Sequence, residues 1–189
     1  LYSSHAYRWR ISPRYRFNDK ISMVYVLSIR NKFNDIGYVD NLVVNEELSV
    51  PLFSIRNTYM ITNVLSGSYI INNKIDFSFK FRYHLDQVEN IKFQELDNNG
   101  YLSAVSVPLT EQAYDINYTT WTSDVALNWW FAPGSQLSIV WKNGIDNETN
   151  ILRDRWLDNI EDSFNLAQEN SLSLKIVYYL DYLYFKKKI

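Results

Sequence analysis

Residues 74–86, KIDFSFKFRYHLD, alternate without a break. Ile75, Phe77, Phe79, Phe81, Tyr83 and Leu85 fall on one side of an extended chain, and Asp76, Ser78, Lys80, Arg82, His84 and Asp86 on the other. A helix, with its repeat of 3.6, would scatter both sets around its axis, so the stretch must be a strand with one oily and one charged face. Residues 6–17, AYRWRISPRYRF, repeat the pattern with Arg8, Arg10, Arg14 and Arg16 set against Tyr7, Trp9, Ile11, Tyr15 and Phe17.

The same periodicity marks seven strands, at about residues 5–17, 21–30, 59–71, 74–86, 116–131, 136–143 and 171–184, with a weaker segment at 38–44. The composition of 15 Tyr, 10 Phe and 6 Trp against 5 Gly and 4 Pro suits β-structure. Several segments exceed the roughly nine to eleven residues that a tilted strand needs to cross a bilayer. Tight turns are expected at Asn18-Asp19-Lys20, Asn72-Asn73-Lys74 and Ala132-Pro133-Gly134-Ser135, and long polar loops at 31–57, 88–115 and 144–170. Alternating short turns and long loops are the habit of outer-membrane barrels. The expected fold is all-β, with antiparallel up-and-down strands forming the C-terminal part of a transmembrane outer-membrane β-barrel. Seven is an odd count, so residues 1–189 are read as one barrel segment that lacks earlier strands. Pro13 lacks an N–H and calls for a bulge or an edge position.

In a barrel wall Trp9, Phe77, Phe79, Phe81, Trp129 and Trp141 would face lipid. Arg8, Arg10, Arg14, Arg16, Lys80, Arg82, His84 and Lys175 would form a polar column facing the lumen. The reverse orientation would cost roughly 2–4 kcal/mol for each arginine at mid-bilayer. A soluble β domain, with the oily face inside, produces the same alternation; it could bind a sugar or an apolar ligand through Trp121, Trp129, Trp130 and Trp141.

Other chemistry is poorly represented. A net charge of −2 argues against nucleic acid, and the absence of Cys removes disulfides and thiolate sites. No apolar run is long enough for a transmembrane helix, and no signal-peptide pattern opens the chain. His84 and Asp86 share a strand face that a metal could bridge, but a lumen-facing polar role is the simpler reading, and no metal or cofactor is expected. A Ser78–His84 hydrolase has no recognisable nucleophile motif behind it. Glu46-Glu47 and Lys186-Lys187-Lys188 read as solvated charge. Residues 153–164, RDRWLDNIEDSF, read as a short helix packing Trp156, Ile160 and Phe164.

Three segments carry a family resemblance. Residues 62–85, TNVLSGSYIINNKIDFSFKFRYHL, residues 127–143, LNWWFAPGSQLSIVWKN, and residues 170–188, NSLSLKIVYYLDYLYFKKK, are similar to hairpins and the terminal strand of the bacterial C-terminal barrel domain of unknown function 5916. They cover roughly the last two thirds of the chain. That domain typically follows an N-terminal domain similar to family 9 carbohydrate-binding modules. The resemblance implies a bacterial outer-membrane location, membrane lipid and the missing strands of the same protein as partners, and a glycan reached through an absent N-terminal domain. It supplies no catalytic residues. The expected function is therefore non-enzymatic: a barrel segment that is anchor or passage for a carbohydrate-associated cell-envelope protein.

Overall fold

The computed structural model describes residues 3–45, 48–97, 99–105, 111–153 and 155–180. The strands are β1 (His5–Ile11), β2 (Arg14–Arg16), β3 (Ile21–Asn45), β4 (Leu48–Asn72), β5 (Ile75–Leu96), β6 (Leu102–Ala104), β7 (Ile116–Ala132), β8 (Ser135–Thr149) and β9 (Glu169–Val177). One helix, α1 (Trp156–Phe164), and a 3-10 turn at Glu111–Tyr114 complete the described elements. The strands make one sheet in the order β1-β3-β4-β5-β7-β8-β9, with β2 on β3 and β6 on β5, and every pairing is antiparallel. The sheet is up-and-down as expected. It is not a closed barrel among the described residues, because β1 and β9 each have a neighbour on one side alone.

β1 and β2 are one strand interrupted at Ser12-Pro13. Ile11 pairs with Leu27 and Arg14 with Val24, so the register runs through unshifted and there is no bulge. Pro13 accepts the Tyr25 N–H at 3.0 Å, and the reciprocal bond is the one that proline cannot make. The margin of the sheet tolerates it.

The tight turns fall where expected. Asn18 Oδ1 accepts the N–H groups of Lys20 and Ile21, and Asn72 Oδ1 accepts that of Lys74. Gly134 has φ +72°, and a Cβ there would lie 2.9 Å from the Cβ of Tyr179. Gly134→Ala is therefore expected to cost about 1–2 kcal/mol from the left-handed backbone alone, readable as a lower denaturant midpoint.

The long loops are a correction. Most of residues 31–57 continues the β3–β4 ladder up to Asn45 opposite Leu48, and β5 and β8 run on to Leu96 and Thr149. The register shifts between Lys32 and Asp35, Tyr38 and Asp40, and Val43 and Asn45. Each irregularity breaks the phase of the alternation, so the pairing persists while the pattern disappears. Asn34, with φ 53°, sits at the first of these shifts. The weak segment at 38–44 is part of β3. Glu46-Glu47, residues 181–184 of the last expected strand and Lys186-Lys187-Lys188 lie outside the described residues.

A buried apolar cluster forms where α1 lies on the sheet. Ile61, Tyr83 and Leu85 are buried together, with Leu27, Ile29, Tyr59, Trp121 and Ile160 packed around them. Trp156 and Phe164 meet the rings of Tyr83 and Trp121. Asp158 in the first turn complements the helix dipole, and Asp162 holds Arg153 at 3.1 Å. The helix residues most deeply buried are nonetheless Asn159 and Ser163. Asn117 Nδ2 donates to Asn159 Oδ1 at 2.7 Å and to Ile151 O at 2.8 Å, and Ser163 Oγ donates to Asn159 O at 2.7 Å.

Candidate functional site

Residues paired directly across an antiparallel ladder share a face, so the registers sort every strand position. The polar face holds all eight residues of the expected column. Arg10 continues through Ser28 and Thr62 to His84, and Arg14 through Val24 and Ser66 to Lys80 and Asp124. Arg8 stands opposite Arg30, Arg16 opposite Ser22, Arg82 opposite Thr122, and Lys175 opposite Ser138. Asp124 is the acidic centre: Arg82 lies 3.1 Å from one of its oxygens and Lys142 3.9 Å from the other. Arg16 turns to Asp19 at 3.0 Å, and Arg8 reaches Ser28 Oγ at 3.4 Å. Among the described residues Arg8, Arg10, Arg14, Lys80 and Lys175 make no ion pair, although Lys80 stands opposite Asp124 in the ladder.

The opposite face holds Trp9, Phe77, Phe79, Phe81, Trp129 and Trp141, with Ile21, Met23, Leu65, Val125, Leu127, Leu137, Ile139, Leu172, Leu174 and Ile176 between them. Phe79 stacks on Phe81 at 5.3 Å and lies over Gly67, where any Cβ would strike the ring at 2.6 Å. No described element covers this lower part of the sheet. Phe77, Phe79 and Phe81 are half-buried by one another, and Trp9 is 70% exposed.

The uncovered apolar surface does not run straight along the hydrogen-bond rows. At the β1 margin its wholly apolar part extends from Trp9 to Phe17, and beyond Trp9 the exposed Tyr7 ring carries a hydroxyl that accepts a hydrogen bond from Asn31. At the β9 margin it begins at Leu172, next to Asn170, and continues through Ile176 to Leu180. The Trp9 row meets β5 at Leu85, whereas the Leu172 row meets it at Phe79, six residues away. At about 3.3 Å per residue and 4.8 Å per strand, that is about 20 Å over six spacings of about 29 Å in total, an inclination of about 35°. A line joining the two margins crosses β5 between Phe81 and Tyr83. Above it Ile61, Tyr83, Leu85, Trp121 and Ile145 lie buried or half-buried at the end of the sheet that carries α1, while Ile36 and Tyr38, farther along β3 on the same face, are exposed.

The other candidate chemistry is dispersed. Ser78 and His84 stand six residues apart on one strand, about 20 Å, so no Ser–His pair forms; His84 Nδ1 is 2.9 Å from Thr62 Oγ1 instead. No group of three His, Cys, Asp or Glu that could hold a metal occurs among the described residues. Trp121, Trp129 and Trp141 lie in separate rows, and Trp130 sits at the irregularity beside the Pro133-Gly134 turn, so the tryptophans do not converge on one ligand. Sequence reasoning missed Asn117 on β7 and the buried Asn159 and Ser163 of α1, because lone polar residues carry no periodic signal.

The family model described as Domain of unknown function (DUF5916) matches residues 2–189. Comparison with curated proteins and with solved structures finds no match.

Proposed function

The chain belongs to the family described as Domain of unknown function (DUF5916), and on that premise we propose that its sheet is a section of an outer-membrane β-barrel wall. The aromatic face meets lipid, and the arginine-rich face lines an enclosed aqueous interior. The segment is non-enzymatic and serves as anchor or passage for a carbohydrate-associated envelope protein. The observation that carries this reading is the inclined apolar band. Barrel strands tilt by about 35–45° while the bilayer stays flat, so a lipid-facing band must cross the rows obliquely. The band's length supports it too: about 26 Å from Trp9 to Phe17 along the β1–β2 margin, or about 22 Å across the tilt, close to the roughly 25 Å apolar belt of such barrels. A soluble sheet would need a second layer over Phe77, Phe79 and Phe81.

Single-tryptophan variants in vesicles with brominated acyl chains test the reading. Trp9, Trp129 and Trp141 are expected to be quenched, while Trp121 and Trp156, beside α1, stay bright. A chain that remains monodisperse in plain buffer, with no bromine quenching at any position, sinks the proposal in favour of a soluble β domain.

A further inference from the structure

We propose that the free edge of β1–β2 receives an antiparallel strand that carries Asp or Glu at alternate positions, opposite Arg8, Arg10, Arg14 and Arg16, and apolar residues between them. The proposal rests on the barrel reading above and names the partner that its open edge takes.

The backbone supplies the first reason. Tyr25 N–H bonds to Pro13 O and Phe17 N–H to Ile21 O, so the odd-numbered residues of this strand direct their backbone groups at β3. The N–H and C=O groups of Arg8, Arg10, Ser12, Arg14 and Arg16 therefore point to the open edge. Pro13 directs its missing donor inward, and the outer row of donors is unbroken. Proline on an edge usually blocks strand addition; this one does not.

Topology supplies the second. Each of the six pairings from β1 to β9 reverses direction, so β1 and β9 run the same way. They cannot pair antiparallel with each other, within one chain or between two copies inserted alike. An antiparallel ring needs an odd number of further strands.

Charge supplies the third. In a hydrogen-bonded antiparallel pair, directly opposite side chains share a face and lie within reach of each other. Arg8, Arg10 and Arg14 are exposed, with no acidic partner among the described residues. The β9 edge of a second copy offers Glu169, Ser171, Ser173 and Lys175 on the polar face, which does not complement four arginines. On the other face Trp9, Tyr15 and Phe17 are bare and need apolar neighbours.

The test uses the whole chain in detergent micelles and two fluorescein-labelled peptides of eleven residues, one alternating Asp with Val and the other Lys with Val. Anisotropy is expected to show the acidic peptide binding about tenfold more tightly or better, with the preference weakening at high salt and vanishing in R10Q/R14Q. Equal binding, a preference for lysine, or no binding to a sheet with native circular dichroism overturns the proposal. So does a β1–β9 cross-link between two copies formed in place of peptide binding. Lipid quenching without an acidic preference removes the edge assignment alone; acidic preference without lipid quenching removes the bilayer reading and leaves the edge assignment standing.

Discussion

Phe79→Arg is expected to destabilise the chain in a bilayer by about 2–4 kcal/mol, while Ser78→Arg, one residue away, costs less than about 1 kcal/mol. The contrast follows from the two faces. Phe79 pairs with Gly67 and Val125 in the middle of the inclined band, stacked on Phe81 and in tilted ring contact with Phe77. With this face in hydrocarbon, a guanidinium there would reach water only by snorkelling or by thinning the bilayer. Ser78 pairs with Ser68 and Ala126 on the polar face, where a new arginine joins Lys80 in solvent. Denaturant titration of tryptophan emission from vesicle-bound protein measures both. Equal costs, or a neutral Phe79→Arg, would mean that this face does not touch hydrocarbon. The same substitution also marks depth. At Leu85→Arg the penalty should come from displacing α1 rather than from lipid, and should persist in detergent-free conditions.

Much of the fold was legible because side-chain period reports face directly. The strand at 74–86, the Pro133-Gly134 turn and the helix with Trp156, Ile160 and Phe164 all follow from local pattern. Period two does not report row. Whether Trp9 lies level with Leu85 or with Phe79 depends on pairing register, which no single strand encodes. The inclination of the band was therefore invisible until the ladder was in place. The extension of β3 beyond Arg30 was hidden for a related reason, since the irregularities near Asn34 and Tyr38 insert residues on that strand and reset its alternation; β4 carries no inserted residue there, and before Tyr59 it is Pro51 and the adjacent Leu52 and Phe53 that obscure the pattern. Asn-rich composition there also argues against strand by propensity, and pairing overrides it. The cover that α1 places over Tyr83 and Leu85 was missed because both extend the same unbroken alternation as Phe77, Phe79 and Phe81. Nothing in that pattern says which part of the apolar face the helix covers.

Leu85→Ala is expected to cost about 2–5 kcal/mol, the second large effect and one with a different signature. Leu85 is fully buried and Ile61 nearly so, and truncation leaves a cavity between β4, β5 and α1. The helix is tied there by few groups. Tyr83 OH donates to Trp156 O at 3.0 Å, and Asn117 bridges Asn159 and Ile151. Removing the apolar floor should free α1 before it frees the sheet. Acrylamide should then reach Trp121 and Trp156 while bromolipid quenching of Trp129 and Trp141 is unchanged. Asn117→Ala should act in the same direction by about 1–3 kcal/mol, since Asn159 Oδ1 loses its donor and Asn159 Nδ2 already lacks a partner. If Leu85→Ala instead lowers quenching of Trp129 and Trp141 in step with Trp121, then the helix-covered patch and the exposed band unfold as one unit. The apolar face would then be a single continuous surface whose lower half is covered in the folded protein by protein rather than by lipid.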